Sequence, residues 1–183
     1  MGFRVTGIDI SKEVIKQVNK LSEQKGYDIP FYEYGGHVLP FEAESFDAVV
    51  IWAQTFGLMY GNEYKHEILL ECKRVLKDYG LVSFSGHDYN YEIVNYINCM
   101  KGRKFYPYLN TDMYWETFEP SELISFGKNA RYDIILCEKG EIYKPEDGIV
   151  LHCLCKNQKV MSFDRLEGVH EYMWLSEGQL LRH

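Results

Sequence analysis

The segment Phe46-Asp47-Ala48-Val49-Val50-Ile51-Trp52 constrains the fold more than any other part of the chain. After its Asp, apolar residues follow one another without alternation. A strand with one wet face alternates; a strand covered by helices on both faces reads as a continuous apolar run, as in a parallel sheet. Parallel strands need crossover connections, usually helices. The sequence on both sides supplies them.

Arg4-Val5-Thr6-Gly7-Ile8-Asp9 is a short β-prone run ending in a carboxylate. Ser11 is placed to cap a helix, with Glu13 in its first turn, where a negative charge suits the dipole. Val14, Ile15, Val18 and Leu21 follow at helical spacing, and Gly26 supplies a stop. Asn62 is the expected cap of a later helix with the stripe Ile68, Leu69, Cys72, Val75 and Leu76. Asp78-Tyr79-Gly80 reads as a turn into the strand Leu81-Val82-Ser83-Phe84-Ser85. Pro120 suits the first turn of another helix.

The pattern predicts strands over 4–9, 31–34, 47–52, 81–85, 132–138 and 149–155. Helices are predicted over 12–25, 63–77, 91–101 and 120–129. Lys144-Pro145-Glu146-Asp147-Gly148 is turn chemistry with no room for a helix, so the last two strands should be antiparallel neighbours. The expected class is α/β: a Rossmann-like, mostly parallel sheet with a final antiparallel pair. One domain spans 1–157, and 158–183 is a tail expected to pack on it.

Composition narrows the function. Against 20 Lys and Arg stand 27 Asp and Glu, a net charge of −7, and no basic stripe is visible. That argues against nucleic acid as a partner. The longest apolar run, Ala48–Ala53, is far short of the ~20 residues of a membrane helix, so no membrane partner is expected. The 5 cysteines contain no CxxC pair, so no metal site is expected. They read as small buried hydrophobes in a reducing cytoplasm, with Cys153 and Cys155 on one strand face.

Four segments together resemble the class I S-adenosylmethionine-dependent methyltransferases of the small-molecule type. They are Val5–Ser11, with its acidic strand end; Leu39-Pro40-Phe41 followed by Ser45–Val50; Cys72–Lys77 running through Gly80 into Leu81–Phe84; and Phe118–Leu123 before the closing strands. The resemblance spans roughly residues 2–157. It implies S-adenosylmethionine as cofactor and a small-molecule methyl acceptor as partner. Asp9 then holds the ribose hydroxyls, and Ile10 lies against the adenine. An Asp at this place also reads as a cap for the helix at Ser11. Where the family carries an acidic residue for the adenine amino group, this chain has Gly35, so backbone of Gly36 and His37 would meet the adenine edge instead. Trp52, Ala53 and Gln54 line the methionine end, although the Trp52 ring also reads as core.

The resemblance begins at the family's second strand. The glycine-rich loop after the first strand has no counterpart in the sequence. Three explanations are open: a fragment of a longer protein, which is the expectation; a missing unit supplied by another chain; or direct pairing of the flanking strands without cofactor. Exposed strand edges would make the chain oligomeric, so a homo-oligomer is a further expectation. His87, followed by Asp88 and Tyr89, is the candidate general base, since histidine is the side-chain type whose unperturbed pKa lies near neutrality. The aromatic segment 105–118 is placed to cover an apolar or cationic acceptor, or to form a dimer contact. A nicotinamide-dependent oxidoreductase and a non-catalytic interaction subunit are the competing functions.

Overall fold

A computed structural model describes residues 3–95, 105–108, 111–141 and 149–158. The predicted tail and the second half of the 91–101 helix lie outside these residues. The chain opens with β1 (Gly7–Asp9), α1 (Lys12–Lys25) and β2 (Phe31–Glu33). Then come β3 (Phe46–Ile51), α2 (Thr55–Leu58), α3 (Asn62–Val75) and β4 (Leu76–Asp88). After α4 (Tyr89–Asn95) follow β5 (Phe105–Tyr108), β6 (Thr111–Tyr114) and β7 (Thr117–Phe118). α5 (Pro120–Asn129), β8 (Tyr132–Glu141) and β9 (Ile149–Asn157) close the domain.

The helix ends follow local chemistry. The Ser11 hydroxyl accepts from the Val14 amide, and Gly26 closes α1 in the left-handed conformation at φ 67°. Pro120 opens α5, where Glu119 and Glu122 form a reciprocal capping box. The N-cap of α3 is Gly61, at φ 85°, rather than Asn62. Asn62 is already helical and leaves the cap without a side chain.

The main sheet has the order β3-β4-β9-β8, with β7 beside the end of β4. β3 and β7 run parallel to β4; β9 runs antiparallel to β4 and to β8. The Rossmann-like α/β sheet with its closing antiparallel pair is therefore as expected. The expected turn at 78–80 lies inside β4. The ladder jumps from Phe46↔Leu76 to Ala48↔Leu81, and Tyr79 takes φ 63° within the irregularity. The β5–β6 hairpin and the single turn of α2 were not legible in the sequence.

One apolar core joins α3, β4, β9 and α5. Leu69, Phe56, Val82, Phe84, Leu123, Leu151, Cys153 and Cys155 are fully buried in it. Cys153 and Cys155 do share a face, with their sulfurs 3.6 Å apart. At Gly57 the chain comes close to itself, with its carbonyl accepting from the Glu116 amide. A Cβ there would sit 2.7 Å from the Glu116 carbonyl oxygen. Gly57→Ala is expected to cost about 1–3 kcal/mol, read as a lower urea midpoint, because backbone cannot move aside as a side-chain tip can.

β1 and β2 form a separate parallel pair. Among the described residues the sheet does not continue from β1 to β3, so the flanking strands do not pair directly. β3 is also not covered as its sequence suggests: Val50, next to its carboxyl end, is 56% exposed. On α1, Val14 and Leu21 are exposed, leaving only Ile15 and Val18 half-buried on the predicted stripe.

Candidate functional site

A cleft of about 750 Å³ lies between β1 and β3. One wall is Thr6 to Ile10; the other is Phe46 and Ala48 to Trp52. Tyr34, Leu39, Phe41, Ile68, Cys72 and Val75 line it further, with Thr55, Leu58, Met59, Tyr60 and Tyr64. Asp9 is the only charged residue of the lining. Asp9, Ile10 and Trp52 stand at the carboxyl ends of their strands, where open α/β sheets bind ligands.

Asp9 Oδ1 accepts from the Ser11 amide at 2.7 Å. The predicted capping role is thus real, but it occupies one oxygen. Oδ2 has no partner among the described residues and can accept from a hydroxyl. Ile10 is 64% exposed beside it. Gly36 takes φ 89°, and its carbonyl accepts from the Tyr64 hydroxyl. A Cβ at Gly36 would lie 3.4 Å from that hydroxyl and 3.8 Å from Ile10 Cγ2. These are ordinary contact distances, so it is the positive φ of the turn that calls for glycine. Gly35 has open space around it. His37 is largely exposed, 3.7 Å from Glu67 and edge-on to the Tyr64 ring.

Trp52 is 62% exposed, which corrects the reading of its ring as core. The strand ends just before it, at Ile51. Ala53 follows at φ 49°, a left-handed conformation that is strained for a residue with a Cβ. The Ser85 hydroxyl holds its carbonyl in place. Gln54 caps α2 through its carbonyl, which accepts from the Gly57 amide at 2.8 Å. Ala53 and Gln54 do not line the cleft; they form the turn that aims Trp52 and Thr55 at it.

His87 sits inside β4, not in a loop after it, because the strand continues to Asp88. It is 3% exposed. Its Nδ1 lies 3.3 Å from Glu92 Oε1, and its ring meets the Trp115 ring at 4.6 Å. Nε2 is buried without a hydrogen-bond partner among the described residues. His87 is not part of the cleft lining. Asp88 beside it is fully buried and paired with Lys139.

Several residues of this region carry no sequence signal. Tyr34 has its hydroxyl pushed above the usual phenol range, by burial first and by Tyr64 second. Burial pushes the Cys72 thiol up to about 12, so it lines the cleft as an inert hydrophobe. Lys65 is fully buried: its ammonium donates to the Met59 carbonyl and, at 2.7 Å, to Glu116. Tyr114 donates to the same carboxylate at 2.7 Å. That cluster ties α3 to the segment ahead of β7.

Glu71 and Arg74 hold the other end of the cleft. Glu71 accepts from the Leu39 amide, and Arg74 donates to the Leu39 and Phe41 carbonyls and to Glu71. The Arg74 hydrogen bond holds the Glu71 carboxyl below the usual carboxylate range. A depressed folded-state value means that the stability is present above the unfolded-state value of ~4.3. It is lost as pH falls through the folded-state value. Glu71→Gln is expected to cost about 1–2 kcal/mol near neutrality and less than that below pH ~4. Melting temperature against pH for the two proteins checks this.

The geometry matches known proteins in sequence and in shape. A family model described as a methyltransferase domain matches residues 1–80. Residues 1–80 are thus similar to a methyltransferase domain, and the fold is the one seen in S-adenosylmethionine-dependent methyltransferases. No curated protein matches it in sequence. Among solved structures, a S-adenosylmethionine-dependent methyltransferase from Methanosarcina mazei superposes with a TM-score of 0.73 at 18% identity. The match covers 84% of this chain and 82% of that one. The 1,6-didemethyltoxoflavin-N1-methyltransferase of Burkholderia thailandensis, solved with bound 1,6-didemethyltoxoflavin and S-adenosylhomocysteine, gives 0.61 at 19% identity. That match covers 86% of this chain and 63% of the other. A S-adenosylmethionine-dependent methyltransferase from Clostridium acetobutylicum gives 0.65 at 10% identity, covering 86% and 76%. At these identities the likeness is one of fold. S-adenosylmethionine is the cofactor of the family. Two features of the cleft fit it: the spare Asp9 oxygen at a strand end, and the positive-φ glycine turn at Gly36. No helix among the described residues is long and apolar enough to cross a membrane.

Proposed function

We propose that the domain binds S-adenosylmethionine at the mouth of the β1–β3 cleft and transfers its methyl group to a small-molecule acceptor. The observation that carries this reading is Asp9: one carboxylate, one oxygen unspent, at the end of a strand beside an otherwise apolar cleft. In this reading Asp9 accepts from the ribose hydroxyls. Ile10 supports one adenine face, and the backbone at Gly35, Gly36 and His37 meets its edge. Trp52, Ala53 and Gln54 border the methionine end. The cofactor supplies a methyl group on a sulfonium, and the residues around it have the task of holding an acceptor in attack geometry.

His87 is the proposed base where the acceptor must lose a proton. Glu92 at its Nδ1 favours a protonated Nδ1 and leaves Nε2 to accept. The apolar lining favours an uncharged organic acceptor over a polymer. Support for a small acceptor also comes from the Burkholderia relative in fold, which was solved with bound 1,6-didemethyltoxoflavin. We place the protein in the cytoplasm, and an oligomer through its open strand edges remains part of the proposal.

NMR-detected titration with S-adenosylhomocysteine, and separately with NAD, tests this reading. Residues 1–183 alone should bind S-adenosylhomocysteine weakly and NAD not at all. Asp9→Ala should weaken the first by about tenfold or more, since a hydrogen bond to a charged group contributes ~1.5–3 kcal/mol. Preferential binding of NAD would replace methyl transfer with redox chemistry. Binding of neither would favour a non-catalytic subunit.

A further inference from the structure

Three cysteines meet on one face of the β8–β9 ladder. Cys137 on β8 stands directly opposite Cys153 on β9, and Cys155 follows two residues further along β9. Opposed residues of an antiparallel pair point to the same face, with Cα atoms ~4.5 or ~5.5 Å apart. Both spacings lie inside the ~4.4–6.8 Å that a disulfide spans. Their Cβ atoms, ~4.5–5.5 Å apart in such a pair, need to close by about 1 Å or less to reach disulfide spacing. Cys153 and Cys155 also touch, with sulfurs 3.6 Å apart. Two residues along one strand, however, lie ~6.6 Å apart at Cα and about as far apart at Cβ, well beyond the ~3.5–4.5 Å between disulfide Cβ atoms. Cys137 is therefore the partner that the backbone allows Cys153.

The two thiols are unlike. Among the described cysteines Cys137 alone is partly exposed, whereas Cys72, Cys153 and Cys155 are buried. The hydrogen bond with Cys153 holds the Cys137 thiol below its usual range. The same contact, ahead of Cys155 and burial, pushes the Cys153 thiol up and keeps it protonated. A solvent-reached thiolate beside a second, resolving thiol is the layout of a redox-sensitive pair. We infer that Cys137 and Cys153 form an oxidation site, at which a hydroperoxide such as hydrogen peroxide closes a cross-strand disulfide between β8 and β9. The Cys137 thiolate attacks one peroxide oxygen; the O–O bond breaks, hydroxide leaves and Cys137 becomes a sulfenic acid. The Cys153 sulfur then attacks the sulfenic sulfur; the S–O bond breaks, the S–S bond forms, and the oxygen departs as water with the Cys153 proton. Hydroxide takes the proton that Cys137 had released, so two thiols are oxidised and one peroxide is reduced to two waters. In the reduced state Cys137 donates to the Pro120 carbonyl, 3.8 Å away at the first turn of α5. The disulfide removes that donor and releases the start of α5 from β8. The inference stands on the β8–β9 ladder and does not depend on the methyl-transfer reading.

The test exposes the folded chain to hydrogen peroxide, stops the reaction with catalase, blocks the remaining thiols in denaturant and digests with trypsin. Cleavage gives Tyr132–Lys139, which holds Cys137, and Gly140–Lys156, which holds Cys153 and Cys155. The two peptides are expected as one species, lighter than their sum by two hydrogens and separated by dithiothreitol. Cys155→Ala should keep the linked species. Cys137→Ser and Cys153→Ala should each lower its yield about tenfold or more, since only that pair meets the geometry. Cys137→Ser changes a partly exposed position and keeps the test decisive should Cys153→Ala not fold. The inference is overturned if Cys137 ends as a sulfinic acid while Cys153 is still free to be blocked. It is equally overturned by an unchanged yield in Cys137→Ser, by a link that forms only once denaturant is present, or by oxidation of the buried Cys72 as fast as Cys137.

Discussion

Lys65→Met is expected to destabilise the domain by about 3–5 kcal/mol, a large part of the ~5–15 kcal/mol that holds a typical domain folded. Lys65 is 0% exposed, and its partner Glu116 has a side chain only 11% exposed. Removing the cation leaves a carboxylate shielded from water, to which the Tyr114 hydroxyl still donates. The aromatic rings of Phe56, Tyr114 and Phe118 all lie within 6.0 Å of the ammonium and lose a cation as well. Urea unfolding should show a lower midpoint at unchanged slope. The double variant Lys65→Met with Glu116→Leu should recover much of the loss, since an apolar replacement of a buried pair is often neutral or better. A single-variant cost under 1 kcal/mol would mean that water reaches the pair.

Phe56→Ala is the second large effect, also about 3–5 kcal/mol. Phe56 is 0% exposed although it sits on the four-residue helix α2. Its ring meets Phe84 at 4.8 Å, Phe126 at 5.3 Å and Phe118 at 5.9 Å. So short a helix has little stability of its own, and this ring is what anchors it to the sheet. Loss of the ring should loosen the turn Trp52–Gln54 that precedes it. Hydrogen exchange at the Gly57 and Leu58 amides would register that loosening beyond the global change. Phe56 and Lys65 share partners, so their combined cost should fall short of the sum.

The open cleft gives the region near Asp9 a different character from the core. α1 and β1 make no contribution to the main buried cluster beyond Ile8 packed against it. Local opening is expected to be easiest there, because few buried apolar contacts resist it.

Much of the fold was legible in the sequence because its signals are local. Ser11, Gly26 and Pro120 mark helix ends through bonds made within a few residues. The turn chemistry of Lys144–Gly148, residues outside the described ones, predicted an antiparallel pair, and β8 and β9 are antiparallel. The order of strands and helices identified the fold, and with it Asp9 as the residue to examine. Tertiary structure alone decided what covers each face. Periodicity grouped Val14 with Ile15, Val18 and Leu21 but could not say that Val14 and Leu21 meet no partner. The apolar run 48–52 looked doubly covered, yet Val50 and Trp52 are exposed beside the cleft. His87 looked like a loop residue and is buried against Glu92 and Trp115. Lys65 and Glu116, 51 residues apart, carry no motif that pairs them. The physical reason is one of range. Caps and turns are written in neighbouring residues, whereas burial and pairing depend on which distant segments the folded chain brings together.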